Sequence, residues 1–166
     1  MKIQGKRNGG NSFDVRFYRY GETTVARKLA VQLPAVLLSH DEVMRTFFGR
    51  NPPAAEFQKD YEIADGFIWS LAEKIVSAGG SVIFDHGFWT KEQRKAAAER
   101  AKVFCENVQF HCVECNIETA KKRVLERTQN DKDALFIDEA CFDSKLSAYE
   151  PPSPEEGFDM IFYRNV

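Results

Sequence analysis

The sequence predicts a three-layer α/β protein, an open parallel sheet flanked by helices on both faces. Short apolar segments recur along the chain, and longer amphipathic segments separate them. Strands that alternate with helices in this way are joined by crossover connections, which make neighbouring strands parallel. No internal repeat, linker or low-complexity tract interrupts the 166 residues. We therefore expect one domain over residues 1–166.

The predicted strands are short segments rich in Val, Ile, Leu and Phe. They are SFDVRFYRY (12–20), AVLLS (35–39), SVIFD (81–85), VQFHCVEC (108–115) and FDMIFY (158–163). The first of them alternates apolar with charged residues, which predicts a strand with one polar face. The others are more continuously apolar, which is typical of buried strands.

The predicted helices have apolar residues at helical spacing, and their ends carry recognisable signals. They cover residues 23–33, 40–48, 54–78, 90–105, 117–128 and 137–149. Pro34 ends the first helix. Thr90 and Gln93 have the spacing of a capping box, and Asn116 is placed to cap the helix that follows it.

Composition and charge exclude several classes of protein. The net charge of -2 lacks the basic excess of a dedicated nucleic-acid binder. No segment approaches the roughly 20 apolar residues of a membrane span, and the N-terminus lacks an apolar signal segment. The 4 cysteines are too few and too unevenly spaced for a disulfide framework. We expect a cytoplasmic protein with reduced thiols, no membrane association and no long nucleic-acid partner.

The segment YGETTVARKLA lies between a predicted strand and a predicted helix, where a phosphate-binding loop would be found. Its Gly21, Thr23 and Thr24 match the end of the pattern G-K-[ST]-T. Glu22, however, occupies the position of the phosphate-binding lysine, and Arg16 occupies that of the first glycine. These residues alone favour an ordinary strand-to-helix turn with a threonine helix cap.

Two carboxylates follow apolar strands. Asp41 comes just after AVLLS, and Asp85 ends SVIFD. Ligands of open parallel sheets bind at the carboxyl ends of the strands, so Asp41 is placed to take a proton from a hydroxyl and Asp85 to hold Mg²⁺. A helix N-cap for Asp41 and a solvated turn for Asp85 are the alternatives. The neighbouring His40 and His86 are either site residues or simply polar turn residues.

Arg123 and Arg127 lie four residues apart in AKKRVLERT and share one face of a predicted helix. They form either a solvated helix face or a lid that covers a transferring phosphoryl group. Cys112 and Cys115 have half of a metal-binding pattern. Because residues three apart on a strand point to opposite faces, and no second cysteine pair follows, we do not expect a metal there.

Taken together, these segments resemble the small P-loop kinases related to polynucleotide kinase, chloramphenicol phosphotransferase and the zeta toxins. The similar segments are LPAVLLSHDEVMRTFFG, VIFDHGFWTKEQRKAAAERA, ETAKKRVLERT and YEPPSPEEGFDMI. The resemblance covers about residues 21–163 and leaves 1–20 as a divergent N-terminal segment. It implies a P-loop kinase-like fold that binds ATP and Mg²⁺ and transfers the γ-phosphoryl group to a hydroxyl of a small-molecule or nucleotide acceptor.

The resemblance also implies roles for individual residues. Asp41 corresponds to the carboxylate that activates the acceptor hydroxyl. Arg127 corresponds to the lid arginine, with Arg123 one turn before it. Gly21, Glu22, Thr23 and Thr24 correspond to the nucleotide-binding end of the phosphate loop, and Thr23 and Asp85 to the magnesium site.

The sequence departs from the family pattern at three places. Glu22 replaces the phosphate-loop lysine, and Met44 stands where the family often has arginine, with Arg45 next to it. Asp14 and Arg16 interrupt the strand that should be central and apolar. Burying them unpaired would be costly, so the strand is expected to be displaced, paired through its charges, or outside the sheet. Two functions follow: an ATP-dependent kinase, or a non-catalytic binding or regulatory module that has lost ATP through Glu22 and Arg16.

A Glu22→Lys substitution tests whether the loop is correctly placed. Two unit charges about 4 Å apart interact by about 4 kcal/mol at an effective dielectric constant of 20, and the substitution turns repulsion of a phosphate into attraction. We expect Mg-ATP to raise the melting temperature of the Glu22→Lys variant more than that of the wild type. Equal shifts in the two proteins would contradict a phosphate-binding role for this turn.

Overall fold

A computed structural model describes residues 12–17 and 35–164 of the chain, with side chains for 35–163. Within this part of the chain, a 5-stranded sheet is formed with the order β2-β3-β1-β4-β5, and every pair of neighbours is parallel. The strands are β1 (Ser12–Phe17), β2 (Ala35–Ser39), β3 (Ser81–His86), β4 (Asn107–Glu114) and β5 (Asp159–Arg164). The predicted α/β class and the open parallel sheet are therefore confirmed.

Strand β1 occupies the centre of the sheet. It pairs with β3 on one side, with Arg16 in register with Asp85, and with β4 on the other, with Asp14 in register with Gln109. The expectation that this strand is displaced or outside the sheet is therefore wrong. Its backbone has parallel partners on both sides, and this pairing fixes its place in the sheet despite two charged residues in its sequence.

The described helices begin and end close to the predicted positions. They are α1 (His40–Phe48), α2 (Phe57–Ser77), α3 (Lys91–Lys102), α4 (Ile117–Asn130) and α5 (Glu139–Ser147). The capping box of Thr90 and Gln93 is present, and the Asn116 side chain accepts hydrogen bonds from two backbone amides of α4. The helix predicted over 23–33 lies outside the described residues.

The main apolar core lies between one face of the sheet and helices α2 and α3. The sheet contributes Leu38, Val82, Phe84, Phe110 and Cys112, and the helices contribute Ile68, Trp69, Ala72, Val76, Ala97, Ala98 and Ala101. Alanine residues on α3 let that helix approach the larger side chains of the sheet. Burial of each large apolar side chain contributes about 1.5–3 kcal/mol.

A buried ion pair joins α3 to the segment before β5. The Arg94 side chain is completely buried, and its Nε and Nη2 each donate a hydrogen bond of 2.8 Å to the carboxylate of Glu156. Arg94 also donates to the backbone carbonyl of Phe88 at 3.3 Å. The acidic, proline-rich connector after α5 is therefore anchored to the core through one guanidinium group.

The charge of Glu156 depends on this contact. Burial alone would raise the pKa of Glu156, but hydrogen bonds from Arg94 and from the backbone of Ser153, together with the guanidinium charge, lower it overall. A carboxylate whose pKa is lowered on folding stabilises the folded state above its unfolded pKa. That stabilisation is lost as the pH falls through the lower, folded-state pKa.

Replacing Arg94 should be strongly destabilising. We expect Arg94→Leu to lower the free energy of unfolding, measured by urea denaturation, by about 3–5 kcal/mol, because Glu156 would keep its buried charge without a partner. On the same helix, Lys95 is 69% exposed, and Lys95→Ala should cost less than about 0.5 kcal/mol. Similar losses in the two variants would show that the buried pair is not what holds the connector.

Candidate active site

The carboxyl ends of β2 and β3 bring the two predicted carboxylates to one edge of the sheet. Ser39, the last residue of β2, is in parallel register with Asp85 of β3. Asp41 follows in the first turn of α1, and Asp85 is half-buried. This is the edge at which open parallel sheets bind their ligands.

Asp41 is not the N-cap of its helix, so that alternative interpretation is wrong. Ser39 is the N-cap, and its hydroxyl accepts a hydrogen bond from the backbone amide of Glu42 at 3.4 Å. The Asp41 side chain is thus left for other contacts, and 49% of it is exposed. Its place in the first turn puts the carboxylate at the positive end of the α1 dipole, which stabilises its charge.

Arg127 of α4 lies opposite Asp41. Arg127 Nη2 is 3.7 Å from Asp41 Oδ2, although the two residues come from helices distant in the sequence. Its Nε is buried and has no hydrogen-bond partner among the described residues. The Arg127 side chain as a whole is 37% exposed, so part of the guanidinium group is accessible from solvent. Arg123 lies one turn earlier on α4 and is exposed.

Of the residues predicted for the magnesium and nucleotide sites, the structure describes only Asp85. Gly21, Glu22, Thr23 and Thr24 lie outside the described residues, and so does the predicted Arg16 side chain. Within residues 35–163, no group of three or more His, Cys, Asp or Glu side chains is arranged to hold a metal ion. Cys112 is buried in β4, whereas Cys115 lies beyond the end of that strand.

Next to Asp41 in the sequence, buried His40 forms a cluster with buried His86 and half-buried Tyr61 that the sequence did not predict. Tyr61 Oη is 2.6 Å from Nε2 of His86, and Nε2 of His40 is 3.4 Å from the backbone carbonyl of Tyr61. The His40 and His86 rings are 4.6 Å apart, and His86 stacks on Phe88 at 4.5 Å. The interpretation of the histidines as simply polar turn residues is therefore wrong.

Burial determines the ionisation of this cluster. Burial lowers the pKa of His40. Burial, together with the nearby groups of His40 and Lys145, lowers the pKa of His86 well below its ordinary value. Burial, with the carboxylates of Asp65 and Asp41, raises the pKa of Tyr61 to about 12. Both histidines are thus neutral near pH 7, and the Tyr61 hydroxyl is assigned as the donor to His86 Nε2. Nδ1 of His86 then carries the proton, 4.0 Å from Asp65 Oδ1.

The large aromatic side chains of α1, α2 and the turn after β3 differ in their exposure. Phe47 of α1 and Phe67 of α2 are 61% and 48% exposed and meet edge to face at 5.6 Å. Trp69 belongs to the core, where its ring is 4.6 Å from Phe84. Trp89 is half-buried and meets Tyr149 edge to face at 6.0 Å.

The parallel sheet flanked by helices agrees with the P-loop kinase-like class that the sequence resemblance implies. An AAA domain family model matches residues 20–152. Since this range includes most of the chain, the protein belongs to that family. No curated protein has a significant sequence match to it.

Solved structures of similar fold include several kinases. A candidate kinase from Chloroflexus aurantiacus is 16% identical, with a TM-score of 0.71 over 93% of this chain and 88% of that one. Chaetomium thermophilum Kti12, solved with ADP-AlF3, is 17% identical, with a TM-score of 0.69 over 92% and 89%. A gluconokinase from Sinorhizobium meliloti is 13% identical, with a TM-score of 0.58 over 92% and 82%. At these identities the similarity shows the fold alone.

None of the helices in the described part of the chain combines the length and the apolar composition that crossing a membrane requires.

The buried histidines should make stability depend on pH. In the unfolded chain a histidine binds a proton near its ordinary pKa of 6.5, whereas folded His86 resists protonation. The free energy of unfolding should therefore fall between about pH 7.5 and about pH 5.5, by up to about 1.4 kcal/mol from His86 at the lower pH. A His86→Gln variant should show a smaller fall in urea denaturation at the two pH values. An unchanged fall would contradict a neutral, buried His86.

Proposed function

We propose that the protein is an ATP-dependent phosphotransferase that transfers the γ-phosphoryl group to a hydroxyl of a small-molecule or nucleotide acceptor. The observation that carries this proposal is the 3.7 Å approach of Arg127 to Asp41 at the carboxyl edge of the sheet. The pair combines a carboxylate able to accept a proton with a cation able to offset phosphoryl charge. The family match and the kinase-like fold support it.

Asp41 is the proposed general base. Its carboxylate accepts a hydrogen bond from the acceptor hydroxyl and takes the proton as that oxygen bonds to the γ-phosphorus. The bond between the γ-phosphorus and the bridging oxygen breaks at the same centre, and ADP leaves with that electron pair. The half-exposed position of Asp41 allows an acceptor to reach it from solvent.

Arg127 is proposed to stabilise the charge of the transferring group. Its side chain is 37% exposed and its Nη2 lies 3.7 Å from Asp41, so its positive charge is placed to offset the charge of the phosphoryl oxygens. Arg123, one turn earlier and exposed, is proposed to assist from the same face of α4. The positive charge of these arginines thus favours a phosphoryl group between α1 and α4.

Bound Mg-ATP would supply the transferable phosphoryl group. We propose Asp85 and the Thr23 hydroxyl as the groups that hold the magnesium ion, and Gly21, Glu22 and Thr24 as the remaining part of the nucleotide loop. A half-buried carboxylate at a strand end suits Mg²⁺, which keeps several waters and takes one or two protein carboxylates. Cations from elsewhere in the chain must offset the charge of Glu22.

An Asp41→Asn substitution tests the proposed base. The amide keeps the size of the carboxylate but does not take a proton, so transfer from γ-labelled ATP to a panel of nucleoside, sugar and amino-alcohol acceptors should fall about 10²–10⁴-fold. Glu42→Gln, at the next residue, is the matched control and should retain wild-type transfer, since the Glu42 side chain is exposed. Equal losses would remove Asp41 from the reaction.

The same samples separate the kinase from the non-catalytic alternative. Mg-ATP should raise the melting temperature of the wild type, because a ligand that binds only the folded state stabilises it. A wild-type protein with neither a thermal shift nor transfer would instead be a binding module that has kept the fold and lost the nucleotide.

A further inference from the structure

Several contacts join the helix of Asp41 to the end of the helix of Arg127. Arg50, just after α1, donates from Nε to the backbone carbonyl of Ala134 at 3.1 Å and from Nη2 to the carbonyl of Thr128. In return, the backbone amide of Phe136 donates to the carbonyl of Arg50 at 2.8 Å. The Arg50 guanidinium also lies 5.8 Å from the centre of the Phe136 ring.

Apolar packing holds the same two regions together. Leu135 is 6% exposed and belongs to a small core cluster with Met44 of α1 and Ala64 of α2. Arg45 of α1 is also 4.0 Å from Asp133, although that exposed pair adds little stability. The segment after α4 is therefore held on α1 by one buried leucine and one arginine.

The Thr128 carbonyl is the link to the active site, because Thr128 is the residue directly after Arg127. Thr128 is itself buried, and its hydroxyl bonds both the carbonyl and the amide of Ile137. A cation bound to that carbonyl restrains the last turn of α4. Since Arg50 lies just after α1, and Asp41 lies in the first turn of α1, Arg50 restrains Arg127 relative to Asp41.

We propose that Arg50 is a positioning residue for the phosphoryl transfer described above. By binding the carbonyls of Thr128 and Ala134, it holds the last turn of α4 on α1 and so maintains the distance between Arg127 and Asp41. Asp41 and Arg127 are then held in position before substrate binds. The proximity of the last turn of α4 to Asp41 therefore does not depend on substrate. This inference rests on the proposed function for its catalytic consequence, but the restraint itself does not.

The planar geometry of the guanidinium group explains why this position requires an arginine. Nε and Nη2 project in fixed directions within one plane, so they reach two carbonyls from different parts of the chain. A lysine would keep the charge but bind these carbonyls through one mobile ammonium group. Arg50→Lys should therefore weaken the restraint without removing the charge, and Arg50→Ala should remove both.

Amide hydrogen exchange on the full-length protein tests the restraint without any ligand. Arg50→Ala should increase exchange across residues 127–136 by at least about tenfold, Arg50→Lys by less, and neither should change exchange in β3 or α3. Arg100→Ala is the matched control. It removes an arginine that pairs with Asp65 at 3.1 Å and lies over Trp69, and should leave 127–136 unchanged. Unchanged exchange in Arg50→Ala would overturn the inference.

Phosphoryl transfer tests the catalytic consequence. In Arg50→Ala, kcat should fall about 10–10²-fold with little change in KM for ATP, because displacement of a catalytic group by about 1 Å has an effect of this size. The Arg50→Ala/Arg127→Ala double variant should be no less active than Arg127→Ala alone, since Arg50 acts through Arg127. Additive losses would overturn a positioning role and indicate general destabilisation.

The two measurements separate failure of the inference from failure of the proposed function. Faster exchange in Arg50→Ala, with no transfer by any protein including the wild type, would keep the restraint and reject the kinase reaction. Transfer by the wild type with unchanged exchange and kcat in Arg50→Ala would keep the reaction and reject the role of Arg50. If Arg50→Ala does not fold, Arg50→Lys provides the same comparison.

Discussion

Parallel pairing of β1 with both β3 and β4 is the constraint on which the rest of the structure depends. With β1 in the centre of a parallel sheet, the carboxyl ends of the described strands lie along one edge. The pairing of the strands therefore brings Asp41, just after β2, and Asp85, near the end of β3, to that edge. Helix α4 completes the arrangement by placing Arg127 opposite Asp41. The position of the candidate site is thus a consequence of the sheet topology, and its chemistry depends on the side chains placed there.

Much of the fold could be predicted because the local signals agree with one another. Apolar runs, the capping box of Thr90 and the cap of Asn116 identify strands and helices from short windows of sequence. The position of β1 could not be predicted from its side chains, because charged Asp14 and Arg16 argue against a central strand. Pairing with two neighbours decides its place, and pairing partners distant in sequence leave no mark within a short window.

The candidate site was predictable in its parts but not as an assembly. Strand ends indicated Asp41 and Asp85, and helical spacing indicated Arg127, but their proximity depends on how α4 packs. The cluster of His40, Tyr61 and His86 gave no signal, since Tyr61 and His86 are 25 residues apart. Both histidines lie at the carboxyl end of an apolar strand. This position indicates burial only when the element that packs over it is known.

The Arg94 and Glu156 pair has a consequence for how the chain acquires its structure during synthesis. The two residues are 62 positions apart, so the ribosome releases Arg94 long before its partner exists. A bare guanidinium resists entry into an apolar interior. Helix α3 is therefore expected to settle fully on the sheet only after Glu156 has been synthesised. Completion of this part of the core thus depends on a segment that is made much later than the helix it anchors.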